Sequence, residues 1–128
     1  MDSISNIIIG LKNASNAGKA TAVFPYSKIA CSIMEVLKKE GFISDFSKKG
    51  KKVIRAIEVE LKYVDGSPAI SGVKRISKLS KRIYERSRNI RSIKSGYGSV
   101  IISTSKGLKT DKEARKEKIG GESLFGIW

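Results

Sequence analysis

The chain contains no histidine, and Cys31 is its only cysteine. Zinc fingers need four Cys or His ligands, and the common catalytic dyads need a histidine base, so both kinds of site are excluded. A single cysteine also excludes an internal disulfide, and the apolar helical pattern around Cys31 predicts a small core side chain. We therefore predict a protein that is not an enzyme and that has no cofactor, no metal and no small-molecule substrate.

Aromatic residues and long apolar runs are also scarce. Phe, Trp and Tyr make up 7% of the 128 residues, which argues against a broad platform for stacking bases. No stretch approaches the roughly 20 apolar residues of a membrane span, and the start lacks the basic leader and apolar run of a signal peptide. We expect a cytoplasmic protein that does not cross a membrane.

Positive charge is abundant and unevenly placed. Lys and Arg number 26 against 12 Asp and Glu, a net charge of +14. Residues 1–68 hold 11 basic and 7 acidic side chains, whereas residues 69–128 hold 15 basic and 5 acidic ones. Such an excess repels itself unless a polyanion neutralises it. Nucleic acid is the first candidate, an anionic membrane surface the second, and a merely basic surface the alternative to both.

Apolar spacing predicts two helices and at least three strands in the first half. Residues 3–16 read as a helix, because Ile4, Ile7, Ile8 and Leu11 recur on one face. A short strand over residues 21–24 stops at Pro25, and a second helix begins after Ser27 as N-cap. Its buried face is predicted to carry Ala30, Ile33, Met34 and Leu37. Strands are predicted over residues 42–46 and 53–63, on either side of a Lys/Gly turn.

The turn cluster Asp65-Gly66-Ser67-Pro68 marks the predicted boundary between two lobes, residues 1–66 and 67–128. The second half predicts short strands over residues 69–76, 82–85, 99–103 and 122–128. A short helix is expected within residues 87–94, a tight turn at residues 96–98, and a charged helix after Thr110, where Glu113 completes a capping box. The sum is an α+β protein with two small α/β lobes: a helix-bearing N-terminal lobe and a mostly antiparallel β C-terminal lobe.

The segment Ser103–Arg115 carries the strongest functional signal. A strand delivers the hydroxyls of Ser103, Thr104 and Ser105 into a loop with Lys106 and Gly107. Hydroxyls, outward backbone amides and lysines suit close approach to the phosphates, sugars and base edges of a folded RNA. The structural alternative is a strand-to-helix turn that supplies its own caps. The string Ser103-Thr104-Ser105-Lys106 also matches the Ser-x-x-Lys of acylating hydrolases, but it follows a strand and lacks the supporting motifs.

Blocks along the whole chain resemble the family of the eighth protein of the bacterial small ribosomal subunit. Besides the opening helix, they are Leu37–Ile43, Lys74–Ser77, Arg82–Tyr84, Ser103–Gly107, Thr110–Arg115, Gly120–Glu122 and Trp128. The resemblance implies two α/β lobes and direct binding to an irregular helix in the central domain of small-subunit ribosomal RNA, early in assembly. It also implies neighbouring ribosomal proteins as partners and, as a second hypothesis, feedback control through a messenger RNA that imitates the ribosomal site. The location implied is the bacterial ribosome, with an organelle ribosome as the alternative.

The resemblance also implies which residues contact the RNA. They are Tyr84, Ser103, Thr104, Ser105 and Glu122; chemistry adds Lys106, Gly107, Lys74 and Arg75. Two of these have structural alternatives, because Tyr84 fits a half-buried strand and Glu122 can hold basic neighbours in place. The family usually has a Pro-Gly turn where this chain reads Lys78-Leu79-Ser80-Lys81, and a proline before Gly96, so the approach of Lys78 and Lys81 to RNA stays open.

DNA and an anionic membrane surface remain the rival ligands. The first helix has Lys12 as its only basic residue, which is too few for docking on a membrane. No helix combines a basic face with helix-turn-helix spacing.

Overall fold

The computed structural model describes residues 3–77, 82–86 and 98–128. The chain folds into two compact units, residues 3–71 and 72–128. Both combine helix with antiparallel strand, which confirms the predicted α+β class. The boundary between two lobes that was expected between residues 66 and 67 stays a prediction.

Two amphipathic helices form one layer of the N-terminal unit. Helix α1 spans Ser3–Asn16 and buries Ile7, Ile8 and Leu11, so the predicted helix is confirmed. Helix α2 spans Lys28–Lys39, and the Ser27 side chain caps it by accepting a hydrogen bond from the Ala30 N–H at 3.1 Å. The predicted apolar face of α2 is buried, and so is the thiol-bearing Cys31. The spacing of apolar residues alone was enough to place these two elements.

A three-stranded antiparallel sheet forms the other layer, in the order β1-β3-β2. Strand β1 spans Thr21–Pro25, β2 spans Ile43–Lys49 and β3 spans Ala56–Leu61. Ile57, Val59 and Leu61 of β3 are buried, as their alternation with charged residues predicted. Pro25 is the last residue of an edge strand, where its missing N–H removes no hydrogen bond inside the sheet. A small hairpin follows, with β4 at Tyr63–Val64 and β5 at Ser67–Pro68.

Strand β10 lies at the centre of the C-terminal unit. It spans Gly121–Ile127 and pairs on one side with β8, Ser99–Thr104. On its other side it pairs with β6, Val73–Arg75, and with β7, Tyr84–Glu85. Strand β9, Gly107–Thr110, forms the far edge by pairing with β8. Every one of these pairings is antiparallel, as predicted for this half.

A short helix of the described residues packs on this sheet. Helix α3 spans Asp111–Glu117, and the predicted capping box between Thr110 and Glu113 is present in both directions. Ala114 of α3 joins Val100 and Ile102 of β8 in a buried cluster, against which Ile76 packs. At the other end of β10, Gly72 and Trp128 exchange two backbone hydrogen bonds of 3.0 Å.

Several predicted boundaries were wrong. Strand β9 lies where a loop is predicted, because its Gly-Leu-Lys-Thr sequence has no alternating apolar face. The strand expected over residues 69–76 is confined to β6, and the one over residues 53–63 begins only at Ala56. Strand β2 runs on to Lys49, into the predicted turn. The expected helix over residues 87–94, most of the turn at residues 96–98, and the Lys78–Lys81 segment lie outside the described residues.

Candidate nucleic-acid interface

Three predicted site residues lie in one row across the C-terminal sheet. Glu122 of β10 is the pairing partner of Tyr84 on β7 and of Ser103 on β8. Directly paired residues on antiparallel strands point to the same face, and neighbouring strands lie about 4.8 Å apart. The Tyr84 side chain is 69% exposed, whereas Ser103 is half-buried and Glu122 is buried. The pairing therefore brings residues that are far apart in sequence to one face.

A glycine permits this close pairing. A Cβ atom on Gly121 would lie only 2.2 Å from the carbonyl oxygen of Ser103, which no real side chain tolerates. Any other residue at position 121 would push β10 away from β8 next to the Glu122–Ser103 pair. Packing against β8 therefore requires a glycine at position 121, the second residue of the Gly-Gly-Glu sequence.

The Glu122 carboxylate is occupied by protein partners. Its Oε2 accepts a hydrogen bond from Ser77 Oγ at 2.6 Å, and both of its oxygens accept from Arg82 Nη1 at 3.2 Å. Ser77 Oγ in turn accepts from the Ile83 N–H at 2.9 Å. The Glu122 side chain is 11% exposed and that of Arg82 is 51% exposed. Glu122 thus holds a half-exposed guanidinium and the start of β7, which is the structural role that sequence reasoning offered as its alternative.

The predicted hydroxyl loop is the tip of a β-hairpin. Thr104 pairs with Gly107, and Ser105 and Lys106 form the turn between β8 and β9. Thr104 Oγ1 donates to the Gly107 carbonyl at 2.7 Å and accepts from the Lys106 N–H at 3.1 Å. Gly107 has a φ of 102°, which favours glycine. Thr104 therefore shapes the turn, while Ser105 and Lys106 remain exposed at its tip.

Lys74 and Arg75 lie elsewhere on the same sheet. They belong to β6, where Arg75 is the partner of Phe125 and Lys74 the partner of Gly126. Phe125 is three residues beyond Glu122, a distance of about 10 Å along an extended strand. The Arg75 guanidinium donates to the Leu124 carbonyl and is half-buried, whereas Lys74 is exposed. The structure thus separates this basic pair from the row of Tyr84, Glu122 and Ser103.

The Thr110–Arg115 segment anchors α3. Asp111 is fully buried, accepts from the Val100 N–H at 3.1 Å and forms a 3.0 Å ion pair with Arg115 one turn later. Thr110 and Glu113 cap the same helix. The motif therefore fixes the helix against β8, the strand that ends in the hairpin tip.

Sequence reasoning missed Arg82 and Ser77 as members of the site. Both lie in the recognised blocks, but only the pairing of β7 with β10 shows that they meet Glu122. A signal existed in the sequence, because Glu122 is one of only five acids among the last 60 residues. A carboxylate that is buried needs a basic partner, and the many basic residues of this unit can provide one.

The geometry also bears on the rival chemistries. Ser103 lies in a strand and not at the start of a helix, so Lys106 does not sit one helical turn away from it as a Ser-x-x-Lys hydrolase requires. Within residues 3–77, 82–86 and 98–128, no group of three or more metal-ligating side chains occurs. Over the same residues, no helix is long and apolar enough to span a bilayer.

Comparison with known proteins assigns the family. A family model described as ribosomal protein S8 matches residues 2–128. The chain belongs to the ribosomal protein S8 family. It is 48% identical over 127 residues to small ribosomal subunit protein uS8 of Mycoplasmopsis agalactiae, covering 99% of this chain and 97% of that protein.

Less similar members of the S8 family also match over nearly their whole length. The uS8 protein of a Synechococcus strain is 43% identical over 129 residues, which is 99% of this chain and 97% of that protein. The uS8 protein of Neisseria meningitidis serogroup C is 44% identical over 123 residues, 96% of this chain and 94% of that protein. Membership confirms the resemblance drawn from the motif blocks, and it confirms that the protein is not an enzyme.

Proposed function

We propose that this chain is a structural constituent of the small ribosomal subunit and binds directly to an irregular helix in the central domain of small-subunit ribosomal RNA. Its partners on this proposal are that RNA and neighbouring ribosomal proteins, and its role is to support assembly of the subunit. The place of action is the ribosome in the bacterial cytoplasm. Family membership supports the ribosomal role, and the charge and geometry of the C-terminal unit support the RNA contact.

The row of Tyr84, Glu122 and Ser103, beside the hairpin tip, is the observation that carries this proposal. Tyr84 offers an exposed ring and hydroxyl, and Ser103 and Ser105 offer short donor-acceptor groups. Lys106 adds a charge at the tip, and Gly107 lets the turn approach a ligand closely. An irregular RNA helix exposes sugar hydroxyls and unstacked base edges, which such groups recognise.

Glu122 contributes mainly through Arg82 on this proposal. A carboxylate repels phosphate, but here it orients a half-exposed guanidinium that attracts phosphate. Thr104 contributes by fixing the turn that presents Ser105. Lys74 and Arg75 add positive charge further along the sheet, where Lys74 is exposed to an approaching backbone. Positive charge thus attracts the RNA, and the row of Tyr84, Glu122 and Ser103 together with the hairpin tip recognises its shape.

The salt dependence of RNA affinity directly tests the electrostatic contribution to binding. If about five phosphates are neutralised, the logarithm of affinity falls with a slope of roughly −4 to −5 per logarithmic unit of salt concentration. The measurement is a titration of labelled RNA with the protein at several salt concentrations. A slope near zero would refute an electrostatic contribution to binding.

The contribution that is specific for the irregular helix is tested by comparing two RNAs. Ser105→Ala and Glu122→Ala should weaken binding to the irregular helix far more than binding to a regular duplex. Lys116→Ala and Lys112→Ala should weaken both about equally, because they remove charge without touching the row or the tip. Tyr84→Ala covers the case in which Glu122→Ala unfolds the sheet, since Tyr84 is exposed. If every variant lost the same affinity for both RNAs, the overall positive charge alone would explain binding.

Binding to a messenger RNA is a second hypothesis for the same surface. Hydroxyl, tyrosine and guanidinium groups recognise the local shape of an RNA, so a messenger with the same irregular helix would fit the same row and tip. Competition between such a messenger segment and the ribosomal helix tests this. Simultaneous binding of both RNAs to one chain would exclude it.

A further inference from the structure

Strand β10 changes its pairing partner along one of its edges. Strand β6 pairs with residues 125–127 of β10, whereas β7 pairs with residues 121–122. Ser77 lies at the change, because its N–H donates to the carbonyls of Ser123 and Leu124, at 3.1 and 3.3 Å. Ser77 therefore occupies the gap between two short strands that follow one another along β10.

The Ser77 side chain ties β7 to the sheet at this gap. Its Oγ accepts a hydrogen bond from the Ile83 N–H at 2.9 Å, and the Ile83 carbonyl accepts from the Ser123 N–H at 2.9 Å. Strand β7 comprises only Tyr84 and Glu85, so its own pairing with β10 supplies few backbone hydrogen bonds. The Ser77 hydroxyl thus takes the place of a strand carbonyl as the acceptor for Ile83. The position of Tyr84, the next residue, depends on this bond.

The same hydroxyl fixes the carboxylate of Glu122. Ser77 Oγ donates to Glu122 Oε2 at 2.6 Å, the short distance that is typical of a hydroxyl bound to a charged acceptor. Arg82 Nη1 donates to both oxygens of this carboxylate at 3.2 Å. The hydrogen bond from Ser77 therefore orients the carboxylate, and the carboxylate in turn holds the half-exposed guanidinium of Arg82.

Ser77 is too deeply buried to contact a ligand itself. Its exposed fraction is 0%, whereas Tyr84 is 69% exposed and the Arg82 side chain is 51% exposed. One route from its hydroxyl leads through Ile83 to Tyr84. The other route leads through Glu122 to Arg82. Any influence of Ser77 on binding must therefore pass through these two exposed groups.

We infer that Ser77 is a positioning residue of the RNA-binding face. Its hydroxyl sets the places of Tyr84 and Arg82 together, and so determines how well the protein distinguishes an irregular RNA helix from a regular duplex. This inference rests on the proposed function, because it takes that helix as the ligand. It goes beyond the proposed function by assigning selectivity to a residue that does not touch RNA. Loss of the hydroxyl removes no charge, so general attraction to phosphate should be retained.

The first experiment measures selectivity with the full chain. Ser77→Ala should weaken binding to the irregular helix by about five- to thirtyfold and change the affinity for a duplex by no more than about twofold. Ser99→Ala is the matched control, because Ser99 is also a buried serine of this sheet but pairs with Ile127, at the end of β10 remote from Glu122. It should leave both affinities within about twofold of the wild type. Equal losses on both RNAs for Ser77→Ala, or no loss on either, would overturn the inference.

A second variant serves if the alanine variant does not fold. Ser77→Cys places a thiol near the position of the hydroxyl, but a thiol is a weak donor and a weak acceptor, so selectivity should fall in the same direction. Urea unfolding of each variant measures the loss of stability separately from the loss of selectivity. Wild-type selectivity in a folded Ser77→Cys chain would overturn the inference as well.

The second experiment separates positioning from a general loosening of the sheet. Ser77→Ala is added to a chain that already carries Tyr84→Ala and Arg82→Gln. Because the two groups that Ser77 places are then absent, the added substitution should change the affinity for the irregular helix by less than about twofold. A further loss as large as the one in the wild-type background would show that Ser77 acts by another route, which contradicts the inference.

A measurement without RNA distinguishes this inference from the proposed function. In the free protein, Ser77→Ala should shift the NMR resonances of the Tyr84 amide and ring, and leave those of Tyr26 and Tyr63 in the N-terminal unit unchanged. Unshifted Tyr84 resonances would overturn the inference and leave the proposed function intact. The proposed function fails separately, if neither Tyr84→Ala nor Ser105→Ala reduces the preference for the irregular helix over the duplex.

Discussion

The two units bury different kinds of residue. Of the buried residues that the structure describes, only Ser15 is polar in the N-terminal unit, whereas the C-terminal unit buries Ser77, Ser99, Thr110, Asp111, Glu122 and Ser123. Apolar burial is not directional, so a helix face that packs on a sheet tolerates small shifts. Buried hydrogen bonds are directional, and a broken one costs free energy. The C-terminal unit therefore holds its polar groups in fixed positions, which a site for a shaped ligand requires.

The units also use charge differently. In the N-terminal unit, nearly half of the basic residues are concentrated in one loop, while the strand that follows carries Glu58 and Glu60. In the C-terminal unit, basic residues are set in ion pairs such as Arg82 with Glu122 and Arg115 with Asp111. A concentrated charge attracts any polyanion, whereas an oriented one selects a geometry. The comparison thus predicts that the ion-paired residues of the C-terminal unit select the geometry of a ligand that the net positive charge of the same unit attracts.

The largest expected effect concerns the apolar core of the N-terminal unit. Leu37 is fully buried on α2, so Leu37→Ala should lower the free energy of unfolding by about 2–5 kcal/mol. Urea unfolding followed by circular dichroism measures it. Val23→Ala, at a side chain that is 62% exposed, is the control and should cost less than about 1 kcal/mol. A similar small cost for both would contradict the assignment of this core.

A second, smaller effect tests the polar interior of the C-terminal unit. Asp111→Ala removes the acceptor of the buried Val100 N–H and the partner of Arg115, so it should cost about 1.5–3 kcal/mol of unfolding free energy. Asp111→Asn retains an acceptor oxygen and should cost less. The same urea measurement applies. If the alanine variant is as stable as the wild type, the buried polar groups do not fix this unit and the comparison breaks.

The sequence predicted the N-terminal unit best, because its signals are local. Spacing on α1 and α2, the Ser27 cap and the alternation on β3 all lie within single elements. The C-terminal capping box was local too and was found. Strand β9 has no such pattern: its edge position comes from pairing with β8, which no short window reveals.

The site shows the same limit. Its motif identified Ser103, Thr104, Ser105 and Glu122 by resemblance, but not which groups touch. That Glu122 meets Ser77 and Arg82 follows from the register of β7 on β10, which joins residues about 40 positions apart. Thr104 likewise proved to be a turn-forming residue only once its two hydrogen bonds were located. Side-chain roles that depend on the register between distant strands therefore could not be predicted from the sequence.

The smallest expected effect is a dependence of stability on acid at Asp45, on the exposed side of the N-terminal unit. Its hydrogen bond from Lys38, then the Phe46 N–H, and then the Lys38 charge lower the pKa of Asp45 from its ordinary value of 3.8. A lowered folded-state pKa means that the stabilisation is present above pH 3.8 and is lost as the pH falls through the lowered pKa. Solvent screens this exposed pair, so Asp45→Asn should remove only a slight acid sensitivity, in contrast to the buried Asp111. An NMR titration that gives Asp45 an ordinary pKa would show that the exposed Lys38–Asp45 pair contributes nothing to stability.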